Sequence, residues 1–392
     1  MKSPLSCSDT TLAITLLILL LSSSSWVSAA INTSDSRLLR FPDIHKDKVT
    51  FVYAGDIYIA SISSGIATRL TSHKGFETFP RFSRSGDYIA FSAEFTGSRQ
   101  VFKMKVDGSD LQQLTWYNDV GVMAPRGGYD YRVMDWSVDD KNVLVRANRL
   151  PWSHRMGRPY FVPVDGGLAQ PLAVPETGSG MLSPNGKKYL YTPIDREFRT
   201  WKRHRGGRAQ DVWIYDLKNN TSEQLTNNPA TDNLPVWVGD RIYFLSDRDY
   251  TLNLYRYEEG KAPTKISGHE NYDALWAAAG PEALVYENGG YIWRYAPEDT
   301  APKRLKLSIA GNPQHLMPLY KNVTKQIESM DVSADAKRAV FGARGEIFTV
   351  PAKEGEIRNI THTTRAREIS VSWSPDGKNI AYLSDKSGEY EV

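Results

Sequence analysis

The stretch Trp373-Ser374-Pro375-Asp376-Gly377-Lys378-Asn379-Ile380-Ala381-Tyr382-Leu383-Ser384-Asp385 reads as a tight turn that feeds a strand. Pro375 presets φ at the first central position of the turn, and Asp376-Gly377 supply the bend and a site tolerant of positive φ. Beyond the turn, Ile380, Tyr382 and Ser384 alternate with Ala381, Leu383 and Asp385. Both phases hold apolar residues, which suits a strand buried on both faces. Weaker copies recur upstream: Phe82-Ser83-Arg84-Ser85-Gly86-Asp87 before Tyr88-Ile89-Ala90-Phe91, and Trp136-Ser137-Val138-Asp139-Asp140-Lys141 before Val143-Leu144-Val145. Two more are Leu182-Ser183-Pro184-Asn185-Gly186-Lys187 before Tyr189-Leu190-Tyr191, and Val332-Ser333-Ala334-Asp335-Ala336-Lys337 before Ala339-Val340-Phe341. The chain is built from repeats, and the repeat sets the frame for every other motif.

Each repeat closes on a short strand ending in an aliphatic residue: Leu70, Leu114, Leu172, Leu225, Ile266, Leu305 and Ile360, spaced 44, 58, 53, 41, 39 and 55 residues apart. A strand ahead of each closing residue is rich in β-branched and aromatic side chains, as in Ile57-Tyr58-Ile59, Val212-Trp213-Ile214 and Ile292-Trp293-Arg294. Four antiparallel strands in about 40 to 45 residues form the blade of a β-propeller. Helical periodicity nowhere competes, and the most Ala-rich run ends at Gly280-Pro281. The fold class expected is all-β: a six-bladed β-propeller over residues 31–306, a linker over 307–326, and at 327–392 the first blade and part of the second blade of a second, incomplete propeller. The N-terminal strand near Val49 and Tyr53 is expected to complete the last blade of the ring, because open blade edges are templates for aggregation.

Composition is that of an ordinary globular protein, 41% hydrophobic and 24% charged, and the net charge of +3 makes no general electrostatic case for nucleic acid. The first thirty residues form a separate object. Lys2 begins a positive region, residues 12–21 are apolar, and Val27-Ser28-Ala29 offers a small-residue cleavage site, the pattern of a signal peptide. The apolar run falls short of the roughly twenty residues that span a bilayer. An exported protein, periplasmic or secreted, is expected, with no membrane attachment after cleavage. Cys7, the only cysteine, precedes the apolar run, so the mature chain would lack thiols and disulfides.

Motifs for chemistry are sparse. The chain has no Gly-x-Ser-x-Gly elbow, His-Glu-x-x-His pair, phosphate-binding loop or cysteine pair, and its seven histidines are scattered. No cofactor, metal or catalytic residue is assigned. His269-Glu270 is read as a polar contact in a loop between blades. The densest charge lies at residues 196–208, where Arg199, Lys202, Arg203 and Arg205 accompany Trp201 and Gly206-Gly207. Guanidinium groups in such a loop can hold a carboxylate bidentately, or the loop can dock on a neighbouring surface. Residues 117–131, with Arg126 just ahead of Arg132, and residues 149–159 are further long insertions, and long loops on a rigid scaffold are where binding concentrates.

The opening Pro42-Asp43-Ile44-His45-x-Asp47-x-Val49-x-Phe51 with Asp56-Ile57-Tyr58 resembles that of tricorn-type peptidases. So do Trp201-Lys202-x-x-Arg205-Gly206-Gly207 before Val212-Trp213-Ile214, and the run from Gly239-Asp240-Arg241-Ile242 to Asp247. The resemblance implies a serine peptidase that degrades oligopeptides, with propellers that filter or channel them and subunits that assemble into hexamers. It also implies that the nucleophile and its histidine belong to later domains, so this chain alone is expected to cleave no peptide. The family holds the substrate's C-terminal carboxylate with two adjacent arginines before the third blade; here Arg126 and Arg132 are separated, with Gly127-Gly128 between them. A free-standing TolB-like propeller that binds protein partners is the competing reading. N-terminal sequencing of the exported protein is expected to begin at Ala30 or Ile31; a mature chain that retains residues 12–21 contradicts the signal assignment.

Overall fold

A computed structural model describes residues 34–117, 131–147, 157–174, 176–195, 202–309, 321–363 and 366–392. The chain divides into two compact units, Met1–Gly311 and Asn312–Val392. Both are built from small antiparallel sheets.

The repeated turn owes its shape to one hydroxyl. Ser374 Oγ donates to Asp376 Oδ1 at 2.6 Å and accepts from Asn379 N–H at 2.9 Å, which folds the turn onto the strand that follows. Ser137 repeats this with Asp139 and Asn142, Ser183 with Asn185 and Lys188, and Ser333 with Asp335 and Arg338. Local side-chain bonds of this kind hold a turn more firmly than propensity alone. The closing aliphatics are equally regular. The N–H groups of Leu70, Leu114, Leu225, Ile266, Leu305 and Ile360 each donate to a carbonyl of the third strand at 2.8 Å, and Leu172 does so at 2.9 Å. Where the next residue is Thr or Ser, its hydroxyl accepts a further third-strand N–H, as Thr71 does from Ile57, Thr115 from Val101, Thr226 from Val212 and Ser267 from Leu254.

Six sheets make up the first unit among the described residues. Their inner strands are Arg40–His45, Glu77–Phe82, Arg132–Trp136, Gly180–Leu182, Asp232–Val238 and Leu275–Ala279. Each inner strand neighbours the next in sequence, and the sixth neighbours the first. Between the sheets, apolar side chains such as Phe51, Phe91, Val145, Leu190, Phe244 and Val285 are fully buried. Each contributes on the order of 1.5–3 kcal/mol of burial.

Two expectations are corrected here. Lys48–Tyr53 does not complete the last sheet; it is the second strand of the first, paired to Arg40–His45 on one side and Asp56–Ser61 on the other. Residues 307–309 are not linker, since Ser308–Ile309 pairs in parallel with Ile66–Arg69 at the outer edge of the first sheet. Leu307 and Ile309 are buried there. The rest of the expected linker up to residue 320 lies outside the described residues. First and sixth sheets are thus joined by the Ser308–Ile309 strand and by bonds across the seam. Leu39 N–H donates to Gly290 O at 3.0 Å, Ser36 N–H to Leu307 O at 2.7 Å, and Arg304 pairs with Asp35 at 3.0 Å. At the centre of the seam Glu287 accepts from Phe41 N–H at 2.5 Å and from Arg40 Nε at 3.0 Å.

In the second unit Ile327–Val332, Arg338–Ala343, Glu346–Pro351 and Arg358–Asn359 form one sheet, and Glu368–Trp373 pairs with Ile380–Ser384 in another. The strand whose pattern suggested burial on both faces is only partly covered: Ile380, Tyr382 and Leu383 are half-buried and Ala381 is exposed. Its upstream counterpart Ile89-Ala90-Phe91 is wholly buried because sheets flank it on both faces, whereas the later strand packs toward Val340, Ile347 and Val371 alone.

Burial pushes the Glu287 carboxyl up to about 7 despite Arg40 and the Phe41 amide. A folded-state value above the unfolded one means that this group's stabilisation is present at low pH and is lost as pH rises from about 4.5 to about 7. Urea unfolding across that window should show stability falling with pH, with a shallower fall in Glu287→Gln. Glu287→Ala should cost about 1–3 kcal/mol by stranding the Phe41 amide. An unchanged midpoint in Glu287→Ala contradicts the role of the seam.

Candidate functional site

Four of the six inner strands share an irregularity. Register shifts fall between Arg40 and Asp43, Thr78 and Arg81, Asn233 and Val236, and Leu275 and Ala278. At each, a bulky residue takes positive φ: Phe41 (50°), Phe79 (54°), Leu234 (48°) and Trp276 (52°). Such a conformation costs on the order of 1–3 kcal/mol and persists only where surroundings enforce it. The surroundings are one another. The Phe41 ring lies 4.4 Å from Phe79 and 5.0 Å from Trp276, and Phe79 lies 5.2 Å from Trp276. The guanidinium of Arg132, from the third sheet, sits 4.9 Å from the Phe79 ring of the second and 5.3 Å from the Trp276 ring of the sixth. A side chain of one sheet therefore reaches a ring three sheets away and crosses the centre of the unit.

Above this floor lies a cavity of about 230 Å³, lined by residues of all six inner strands. It opens toward the turns that follow those strands, where His45, Ser83, Arg84, Pro184, Gly239 and Pro281 form the rim. Corresponding positions differ in chemistry around the wall. The first three sheets present Asp43, Arg81 and Asp135, while the last three present Met181, Val236 and Ala278. One wall is charged and the other apolar.

The charges are held by backbone. Asp43 Oδ2 accepts from Phe82 N–H at 2.7 Å, and Asp135 Oδ2 accepts from Leu182 N–H at 2.9 Å and from Arg84 Nη2 at 2.6 Å. In each case a carboxylate of one inner strand ties down the next inner strand in the ring. Arg81 donates from Nε to Met134 O at 3.3 Å and from Nη1 to the carbonyls of Pro42 (3.2 Å) and Pro80 (2.9 Å). Burial pushes Asp43 up to about 7 against the pull of Arg81, raises Asp135, and lowers Arg81.

Of the described arginines and lysines singled out in the sequence, Arg132 alone is brought to this cavity, where it is 4% exposed. Lys202, Arg203 and Arg205 lie near the opposite end, by the segments that lead into the inner strands. Lys202 pairs with Asp273 at 2.9 Å, Arg205 with Asp247 at 3.1 Å, and Arg203 donates to Tyr250 O at 3.2 Å. Their loop is docked on the fifth sheet and the approach to the sixth. Arg126 and Arg199 lie outside the described residues. His269 makes its loop contact through Nε2, 2.9 Å from Tyr286 OH. Asp43, Arg81 and Asp135 were missed as a group. The available signal was a charged residue at the same strand position in Pro42-Asp43-Ile44, Pro80-Arg81-Phe82 and Met134-Asp135-Trp136.

Sheets in cyclic order around an axial cavity define a scaffold of the β-propeller class. The family model for the tricorn protease N-terminal beta propeller domain matches residues 36–301, most of the chain, and the chain belongs to that family. Tricorn protease homolog 1 of Streptomyces coelicolor is 27% identical over 357 residues, covering 90% of this chain and 32% of that protein. Putative tricorn protease homolog 2 of the same organism is 28% identical over 372 residues, covering 90% and 30%. The chain thus spans about a third of the length of these curated relatives. The crystal structure of the tricorn protease superposes with a TM-score of 0.62 at 19% identity over 88% of this chain and 41% of that one, a likeness of fold.

Arg132→Ala should lower the urea unfolding free energy by about 1–2 kcal/mol through loss of its two ring contacts. Arg205→Ala, at a partly exposed pair, should cost about 1 kcal/mol or less. The reverse ranking would place the structural weight on the loop instead of the cavity floor.

Proposed function

We propose that this chain is the non-catalytic N-terminal propeller region of an exported tricorn-like serine peptidase, and that it selects oligopeptides for that enzyme. The first unit is read as a six-bladed propeller, supported by six sheets whose inner strands neighbour one another in cyclic order. The second unit is read as the start of another propeller. Export rests on the signal pattern, and assembly into hexamers on the family resemblance.

The single observation that carries the peptide role is the axial cavity with one charged and one apolar wall. Concave sites with apolar lining and a few convergent polar groups are where small ligands and chain ends bind. Of the two roles the resemblance implies, filtering fits better than channelling, because the Arg132 floor crosses the path that a threaded peptide would take. Trp237, half-buried at the wall of the cavity, is placed to meet a peptide that enters from the rim.

Fluorescence anisotropy with labelled oligopeptides and the purified chain tests this reading, with mass spectrometry to follow the peptides. The expected result is saturable binding, weakened several-fold by Trp237→Ala, with every peptide recovered intact. Failure of all peptides to bind, or hydrolysis that copurifies with the chain, contradicts it.

A further inference from the structure

Two charges on the cavity wall are left apart by the protein. Arg84 is engaged by Asp135 at 2.6 Å, and Arg132 is covered by Phe79 and Trp276. Asp43 and Arg81 remain. They are 4% and 5% exposed, and each is the foremost opposite charge acting on the other, yet no ion pair joins them. Asp43 accepts from the backbone amide of Phe82. Arg81 uses Nε and Nη1 on three carbonyls, and its Nη2 donates to no group among the described residues. Buried charges of opposite sign held out of contact are costly, and a molecule that carries both signs satisfies both.

The cavity's other features narrow the choice. At about 230 Å³ it is smaller than the roughly 300–1,000 Å³ pockets of drug-sized ligands. Its floor blocks a longer chain, and the wall facing the charges is Met181, Val236 and Ala278. A zwitterion enters without changing the net charge of the site, whereas an amine or a carboxylate alone leaves one buried charge unmatched. The interior of a peptide chain carries neither group.

Resting on the reading that this chain handles peptides, we propose that the cavity is a binding site for a free α-amino acid with an aliphatic side chain. Its ammonium group meets the Asp43 carboxylate, its carboxylate meets Arg81 Nη2, and its side chain lies on Met181, Val236 and Ala278. Such a site responds to the smallest products of peptide degradation.

Calorimetric titration of the whole chain with L-leucine, 4-methylpentanoate and 3-methylbutylamine tests the assignment, since the last two each lack one of leucine's charges. Leucine should bind one to one, and each analogue should bind about tenfold more weakly or worse. Ala278→Leu, which fills the apolar wall and leaves the charges in place, should abolish leucine binding, and Asp43→Asn should weaken it about tenfold. If Asp43→Asn fails to fold by circular dichroism, Ala278→Leu carries the test. No saturable leucine binding, equal binding of the three probes, or leucine binding unaltered by Ala278→Leu overturns the site. A chain that binds oligopeptides but not leucine loses this site and keeps the peptide role; one that binds leucine but no oligopeptide keeps the site and loses the role.

Discussion

The contact between the first and sixth sheets is the constraint on which the first unit depends. A sheet with a bare face or edge forgoes burial and offers a template for pairing with another chain. Here the two ends of the repeat series meet through Glu287 and the backbone of Phe41, through Leu39 and Gly290, and through Ser308–Ile309 laid along the outer strand of the first sheet. Each sheet of the first unit draws its four antiparallel strands from one continuous stretch of chain, and Ser308–Ile309 is carried from the end of the sixth sheet onto the first. The arrangement leaves the join to side chains and a short parallel pairing, and a buried carboxylate at its centre makes that join sensitive to pH.

The same seam organises the site. Phe41 belongs both to the join, through its amide, and to the floor of the cavity, through its ring against Phe79 and Trp276. Strained backbone at Phe41, Phe79, Leu234 and Trp276 is thereby supported from several sheets at once. The floor holds Arg132 across the axis, and the charged wall above it depends on backbone groups of the inner strands. Loss of the seam would disturb the cavity before it disturbed the outer strands, which are held by bonds within their own sheets.

Much of this was legible in the sequence because the repeat is written in local chemistry. Ser374 and Asp376 shape a turn wherever they recur, and a closing aliphatic such as Leu70 makes the same bond to the third strand in each sheet of four or more strands. The first inner strand was not legible. Its register shift at Phe41 breaks the alternation by which a strand is recognised, and the closure was assigned to the strand near Val49 and Tyr53 instead. The site was harder still. Asp43, Arg81 and Asp135 are far apart in sequence and become one wall only when the sheets are arranged around an axis. The dense charges at Lys202, Arg203 and Arg205 drew attention because they are adjacent, although each meets a partner on the scaffold.

Hydrogen exchange at individual amides tests the central claim most directly, since it reports which parts of a fold open together. The amides of Leu39 and Phe41 and of Ser308 should exchange in the same slow, cooperative step as the sheet-interior amides of Phe51 and Val285. Rapid exchange of the seam amides while Phe51 and Val285 stay protected would contradict it, and would mean that the first and sixth sheets stand side by side without being joined.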